Sequence, residues 1–127
     1  MKRNERGIIM KDLFDFKPGW ITTFGGMSAF ADFVPDFYCA YAERMEAAGA
    51  ILLGKTNSPV LGYRGTCDNY LFGPSRNPFD PTKNTGGSSG GSAAAAVASP
   101  RLAGVPAAPC PTQGASSGRL TSSTGSA

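Results

Sequence analysis

A lysine followed by threonine, at the end of a glycine-bounded stretch, is the first pattern in this sequence that could do chemistry. Residues 49–56 read GAILLGKT and match the phosphate-loop pattern G-x-x-x-x-G-K-[ST]. In such a loop the backbone N–H groups surround phosphate oxygens and the lysine contacts the outer phosphates. Taken alone, the pattern indicates a nucleotide-binding protein.

The second pattern is a run of glycine and serine that leads into alanines. Residues 85–98 read TGGSSGGSAAAAVA. Glycine costs about 1 kcal/mol in a helix interior, whereas alanine favours a helix. A bare loop that can approach a ligand closely therefore leads into a helix N-terminus, where anions bind readily. A flexible glycine–serine linker is the alternative interpretation.

The sequence contains no histidine. This excludes Ser-His-Asp and Cys-His catalysis, and most zinc hydrolase chemistry, for this chain acting alone. Acid–base chemistry must then come from lysine, aspartate, glutamate, tyrosine or cysteine. The three cysteines, Cys39, Cys67 and Cys110, show no metal-ligand spacing, so we expect no metal site and a reducing, cytoplasmic location.

The elements around the first pattern argue against a phosphate loop. We predict a helix from Asp36, its N-cap, to Ala48, then Gly49 at the helix end, and a buried strand over residues 50–54. The variable residues of the pattern would then lie in a strand, whose backbone hydrogen bonds belong to a sheet. We interpret the match as accidental and keep nucleotide binding only as an alternative.

Two further short elements complete the predicted α/β pattern. Residues 7–14 begin as an apolar strand and turn polar at Lys11. Residues 57–60, NSPV, predict a second short helix with Asn57 or Ser58 as N-cap.

Several stretches, taken in order, resemble segments of the amidase signature family, whose members cleave amide carbon–nitrogen bonds with a Ser–cis-Ser–Lys triad. IIMKDLFDFKPGW resembles the lysine segment, AERMEAAGAILLGKTNSPVLGYRGTCDNYLFGPSRNPFD the helix–strand–loop block, and KNTGGSSGGSAAA the central signature. The resemblance covers residues 7–98. It implies an α/β fold, here an incomplete portion of a mixed sheet flanked by helices.

The resemblance also implies roles for individual residues. Lys11 would be the general base, Ser88 the serine that relays protons, and the peptide bond before Ser88 would be cis, while Lys55 would be structural. Burial suits the role of Lys11, because desolvation disfavours the ammonium form. No metal or organic cofactor is implied, and the substrate would be a small-molecule amide. The supporting loop would consist of Gly86, Gly87, Ser89, Gly90 and Gly91.

The family's nucleophile is a serine in a segment resembling GTDxGGSIR, and this sequence departs from that pattern. The expected position is Thr112, within APCPTQGAS, which does not resemble the segment. From residue 99 onward the chain has no aromatic or acidic residue. We therefore divide it into a partial amidase-signature domain, 1–98, and a low-complexity tail, 99–127, expected to be disordered. The tail fits either out-of-frame translation of a GC-rich gene or an authentic low-complexity segment.

These observations predict an amidase-family protein. The intact parent protein would hydrolyse amides, and the chain as encoded would be inactive. The alternative is a non-enzymatic interaction module, or a fragment completed by a partner chain. The net charge of +3 without a basic cluster argues against nucleic acid binding. No apolar run approaches the roughly 18 residues that span a membrane. Self-association into a homo-oligomer or an aggregate is an expected alternative to a monomer.

Overall fold

The computed structural model describes residues 7–103, with side chains described through residue 98. A parallel strand pair lies at its centre, with one helix after the first strand and a longer one near the end of the described part. The strands are β1 (Gly7–Lys11), β2 (Ile51–Thr56), β3 (Asp68–Asn69) and β4 (Gly73–Pro74), and the helices are α1 (Ala40–Ala47) and α2 (Gly90–Ala103).

Strands β1 and β2 pair in parallel, and the connection between them contains α1. This is a β–α–β unit, so the predicted α/β class and the predicted strand at Gly7 are confirmed. Helix α1 packs against β2, and α2 packs against both strands. Both carboxyl ends of the strands meet at one edge, which is where ligands bind in sheets of this kind.

The face of β2 away from these contacts is not covered by described residues. Ile51 is 47% exposed and Leu53 is 66% exposed, alternating with half-buried neighbours. The predicted strand is therefore present, but none of its residues is buried, since one face is half-buried and the other exposed. A register shift between Ile8 and Ile9 leaves Leu53 without a partner on β1, which is the geometry of a β-bulge.

Helix α1 ends as predicted and begins later than predicted. Gly49 has φ +86°, its N–H donates to Glu46 O, and the next N–H donates to Met45 O. This is a Schellman end, so the role of Gly49 is confirmed. The N-cap is Cys39 rather than Asp36, because the N–H of Cys39 donates to Phe16 O at 3.0 Å and holds residues before it outside the helix.

The predicted short helix after residue 57 is a 3-10 turn, Val60–Gly62, that begins after Pro59. Neither Asn57 nor Ser58 caps it. The amide oxygen of Asn57 instead accepts from the side chain of Asn69, and the hydroxyl of Ser58 donates to a backbone carbonyl. Tertiary hydrogen bonds have thus replaced the predicted local ones.

The connection between β1 and α1 carries a group of phenylalanine rings that pack on one another and remain partly or largely exposed. Neighbouring rings lie 4.8–6.0 Å apart between centroids, mostly edge to face, an arrangement that aromatic rings prefer. The group consists of Phe14, Phe16, Phe24, Phe30, Phe33 and Phe37.

Helix α2 continues through residue 99, where the sequence predicted the start of the tail, and ends at Ala103. That predicted boundary therefore falls inside a helix, since the alanine run propagates helical structure beyond it. The rest of the predicted tail, residues 104–127, lies outside the described residues. None of the described helices is long and apolar enough to cross a membrane.

Candidate active site

The lysine of the GAILLGKT pattern lies in a buried ion pair. Lys55 Nζ is 3.6 Å from Asp12 Oδ1 and also hydrogen-bonds Thr22 Oγ1. Burial lowers the pKa of Lys55, and the carboxylate of Asp12 opposes that shift. The backbone from Ile51 onward is paired with β1, so it does not form a phosphate loop, and Lys55 has a structural place.

The lysine at the carboxyl end of β1 meets the serines that precede α2. Lys11 Nζ donates to Ser88 Oγ at 2.9 Å and to Ser89 Oγ at 3.2 Å. These residues are 77 and 78 positions apart in the chain. The structure thus brings together the two residues, Lys11 and Ser88, for which the family resemblance implies roles in proton transfer.

The surroundings of Lys11 disfavour its charged form relative to an exposed lysine. Burial lowers the pKa of Lys11, and the nearby Cys67 and Asp15 only partly oppose this. Asp15 accepts from the backbone N–H of Lys11 at 3.1 Å, and burial raises the pKa of that carboxyl. A lysine whose ammonium form is disfavoured is the kind of base that acyl transfer needs.

The other described lysines differ from Lys11 in their partners. Lys17 pairs with Glu46, Lys55 with Asp12 and Lys83 with Asp80. Within residues 7–98, Lys11 Nζ bonds hydroxyl groups and forms no ion pair.

Asn84, which was not predicted from the sequence to have a role, holds the start of the loop that contains Ser88 and Ser89. Asn84 Oδ1 accepts from Gly86 N at 2.8 Å and from Cys67 N at 3.0 Å, while its Nδ2 donates to Cys67 O at 3.3 Å. Asn84 thus fastens the loop to a buried backbone segment. The one signal in the sequence was an asparagine two residues before a glycine pair, which is typical of a turn.

The first turn of α2 is attached to both central strands by hydroxyl groups. Thr56 Oγ1 donates to Met10 O at 3.1 Å, and it lies 2.6 Å from Ser92 Oγ. Ser92 is buried. These contacts fix the helix start, and therefore the preceding serines, at the strand ends where Lys11 lies.

The glycines of the supporting loop have different packing. A β-carbon on Gly91 would lie 2.4 Å from Asn57 O, and one on Gly90 would lie 2.2 Å from Thr85 Oγ1. Gly86 has φ +73°. A β-carbon on Gly87 would meet nothing within 4 Å.

We expect Gly91→Ala to destabilise the chain by about 1–3 kcal/mol, because the added methyl group must displace backbone. Gly87→Ala is the matched control from the same loop and should change the free energy of unfolding by less than about 0.5 kcal/mol. Urea unfolding followed by Trp20 fluorescence measures both variants. Equal effects of the two substitutions would contradict the packing described for Gly91.

The described residues contain no cis peptide bond, so the bond between Gly87 and Ser88 is trans. The expectation of a cis bond, carried by the resemblance, is therefore wrong for this structure. A non-proline cis bond costs about 3 kcal/mol and is kept only where its surroundings enforce it. The expected nucleophile position, Thr112, lies outside the described residues.

Comparison with known proteins identifies the family. The Amidase family model matches residues 7–108, so the match extends beyond residue 98, the predicted end of the resemblance. One glutamyl-tRNA(Gln) amidotransferase subunit, from Synechococcus sp. (strain WH7803), is 47% identical over 73 residues, covering 58% of this chain and 15% of that protein. The acylamidase of Rhodococcus erythropolis is 42% identical over 80 residues, covering 63% and 17%.

Solved structures agree with the sequence comparison. A bacterial aryl acylamidase of the amidase signature enzymes superimposes with a TM-score of 0.67 at 49% identity, covering 72% of this chain and 19% of the other. A 6-aminohexanoate cyclic dimer hydrolase gives a TM-score of 0.65 at 38% identity, covering 73% and 20%. The chain spans at most about a fifth of the length of these relatives. The described residues are thus a part of a larger α/β fold, and the chain belongs to the amidase signature family.

Proposed function

We propose that this chain carries the proton-transfer half of an active centre that hydrolyses the carbon–nitrogen bond of a small-molecule amide. The observation that carries the proposal is the 2.9 Å contact between Lys11 Nζ and Ser88 Oγ. It joins a lysine whose pKa is lowered by burial to a hydroxyl on the glycine-rich loop. The family match supports the reaction class.

In the proposed reaction Ser88 is a relay. Its hydroxyl accepts the proton of a nucleophilic serine and passes its own proton to the neutral amine of Lys11. The nucleophile then attacks the amide carbonyl, and the resulting ammonium of Lys11 returns a proton, through Ser88, to the leaving nitrogen. Water hydrolyses the acyl-enzyme by the same route in reverse. This reaction uses no cofactor.

In the proposed reaction the nucleophile comes from another polypeptide segment. The sequence about Thr112 does not resemble the family's nucleophile segment, so we propose that the 127 residues alone are catalytically incomplete. That segment would be supplied by more of the same protein or by a second chain. We also propose a reducing compartment such as the cytoplasm, since the described cysteines are free.

A second candidate is an interaction module that has no catalytic part of its own. The exposed Ile51 and Leu53 on β2 favour it, because an uncovered apolar strand face is a site for a partner. Several relatives are, by name, one subunit of an amidotransferase. A partner that covers β2 without conferring amide hydrolysis would favour the module over the enzyme.

A chimera tests the proposed function. Residues 7–98 of this chain replace the matching segment of the Rhodococcus erythropolis acylamidase, and hydrolysis of an acyl amide is measured. We expect the chimera to turn over substrate and the 127-residue chain alone to show none. A chimera that folds, as judged by circular dichroism, but does not hydrolyse the amide would contradict the proposal.

A further inference from the structure

The amine of Lys11 has a hydrogen-bonding environment that fits a nucleophile as well as a base. An ammonium group has three N–H donors, whereas a neutral amine has two and a lone pair. The protein offers Nζ two acceptors, Ser88 Oγ and Ser89 Oγ. The two hydroxyl groups can therefore accept both N–H groups of a neutral amine, which leaves its lone pair for reaction. In the proposed proton transfer, by contrast, the Ser88 hydroxyl turns and donates to that lone pair.

The lysine amines in the described part of the chain differ in whether their partner is a carboxylate. A carboxylate partner stabilises the ammonium form and holds the lone pair in an N–H bond. Lys17, Lys55 and Lys83 each have such a partner. Lys11 has hydroxyl partners in its place and is half-buried, which further disfavours its charged form.

An open cavity of about 460 Å³ is lined by a chain segment that passes close to the amine. The lining residues are Val60, Leu61, Tyr63, Arg64, Asp68, Asn69 and Tyr70. Gly62 belongs to the same segment, and a β-carbon on it would lie 3.0 Å from Leu13 Cδ1 and 3.9 Å from Lys11 Nζ. The apolar and aromatic part of the lining suits an aliphatic or aryl acyl chain.

We propose that Lys11 is itself a site of covalent acylation by activated acyl compounds, such as aryl esters and thioesters, whose acyl chain extends toward this cavity. The lone pair of Nζ attacks the acyl carbon and forms a carbon–nitrogen bond. The bond from that carbon to the leaving oxygen or sulfur breaks, and the leaving group departs with the electron pair as an aryloxide or thiolate. The extra proton on nitrogen passes to Ser88 and onward to water.

This modification goes beyond amide hydrolysis and needs no nucleophilic serine. It would also end the proposed proton transfer, because an amide nitrogen is not a base. The two proposals fail independently. Acylation without activity in the chimera would leave the modification standing, and an active chimera without acylation would leave the amidase function standing.

The test treats the full 127-residue chain with 4-nitrophenyl butyrate at about pH 7.5 and locates the butyryl group by peptide mass spectrometry. We expect occupancy of Lys11 at least about tenfold above that of Lys83, since the reactive species is the neutral amine. The same reaction in concentrated urea should give the two lysines similar occupancies. Lys11→Arg should lose the selective labelling, whereas Lys83→Arg, the matched surface control, should keep it.

Two results would overturn the inference. One is equal labelling of Lys11 and Lys83 in the absence of urea, which would show that the fold does not activate the amine. The other is a butyryl ester on Ser88 in place of an amide on Lys11, which would make the serine the nucleophile and the lysine its base.

Discussion

Asp12→Ala is expected to cost about 3–5 kcal/mol of folding free energy, because it leaves a buried lysine without its counter-charge. Asp12 is 6% exposed and accepts from Thr23 N at 3.1 Å and 3.2 Å, and from the hydroxyl of the same residue. It is also the partner of Lys55. Whole domains are stable by only about 5–15 kcal/mol, so this one substitution should remove a large share of the chain's stability.

The measurement is urea unfolding of the 127-residue chain, followed by Trp20 fluorescence. Asp36→Ala is the control, since Asp36 is exposed and does not cap α1. It should shift the free energy of unfolding by less than about 0.5 kcal/mol, whereas a true N-cap would cost about 1 kcal/mol. A cost below about 1 kcal/mol for Asp12→Ala would mean that the ion pair with Lys55 is not formed.

Lys11→Met in the acylamidase chimera is expected to lower kcat by about 10²- to 10⁴-fold, the usual contribution of a general base. Methionine keeps most of the length and volume of lysine and removes the amine. Because the amine acts on the proton and does not bind the amide in the proposed reaction, KM should change much less than kcat. Amide hydrolysis under saturating and limiting substrate separates the two effects.

Ser88→Ala should lower kcat as well, because the relay between the nucleophile and Lys11 is then broken. The double variant Lys11→Met/Ser88→Ala should be little worse than either single variant, since the two groups act as one unit. Lys83→Met is the control, a paired surface lysine that should keep full activity. Independent, multiplying effects of the two substitutions would argue that Lys11 and Ser88 do not share a proton path.

The parts of the fold that follow local rules were predictable from sequence. Gly49 ends α1 because only a residue that tolerates positive φ can close that turn. A phosphate loop at residues 49–56 could be excluded on similar local grounds, since residues that build a strand cannot also surround a phosphate. The pairing of Lys11 with Ser88 was predicted from the family resemblance rather than from a local pattern, because the two residues are 77 positions apart in the chain.

The features that sequence did not reveal depend on tertiary contacts. The N-cap of α1 is Cys39 rather than the predicted Asp36, because the carbonyl of Phe16, distant in sequence, accepts the N–H of Cys39. A helix that began at Asp36 would need that N–H within its first turn. In the sequence Asn84 looks like an ordinary turn residue, and only the fold shows that its side chain hydrogen-bonds the backbone of Cys67. Leu53 looks like a core residue in the sequence, and its exposure depends on what covers β2.

The proposed reaction requires that the fold makes Lys11 a base at its contact with Ser88. The most direct test is a ¹³C NMR titration of the 127-residue chain labelled at the ε-carbons of lysine, with Lys11→Arg used to assign the signal. Burial lowers the pKa of Lys11, whereas the hydrogen bond with Glu46 raises the pKa of Lys17. We predict that Lys11 titrates at a clearly lower pH than Lys17. If the two signals titrate together, or Lys11 titrates at the higher pH, then Lys11 is an ordinary ammonium group and the proposed proton transfer fails.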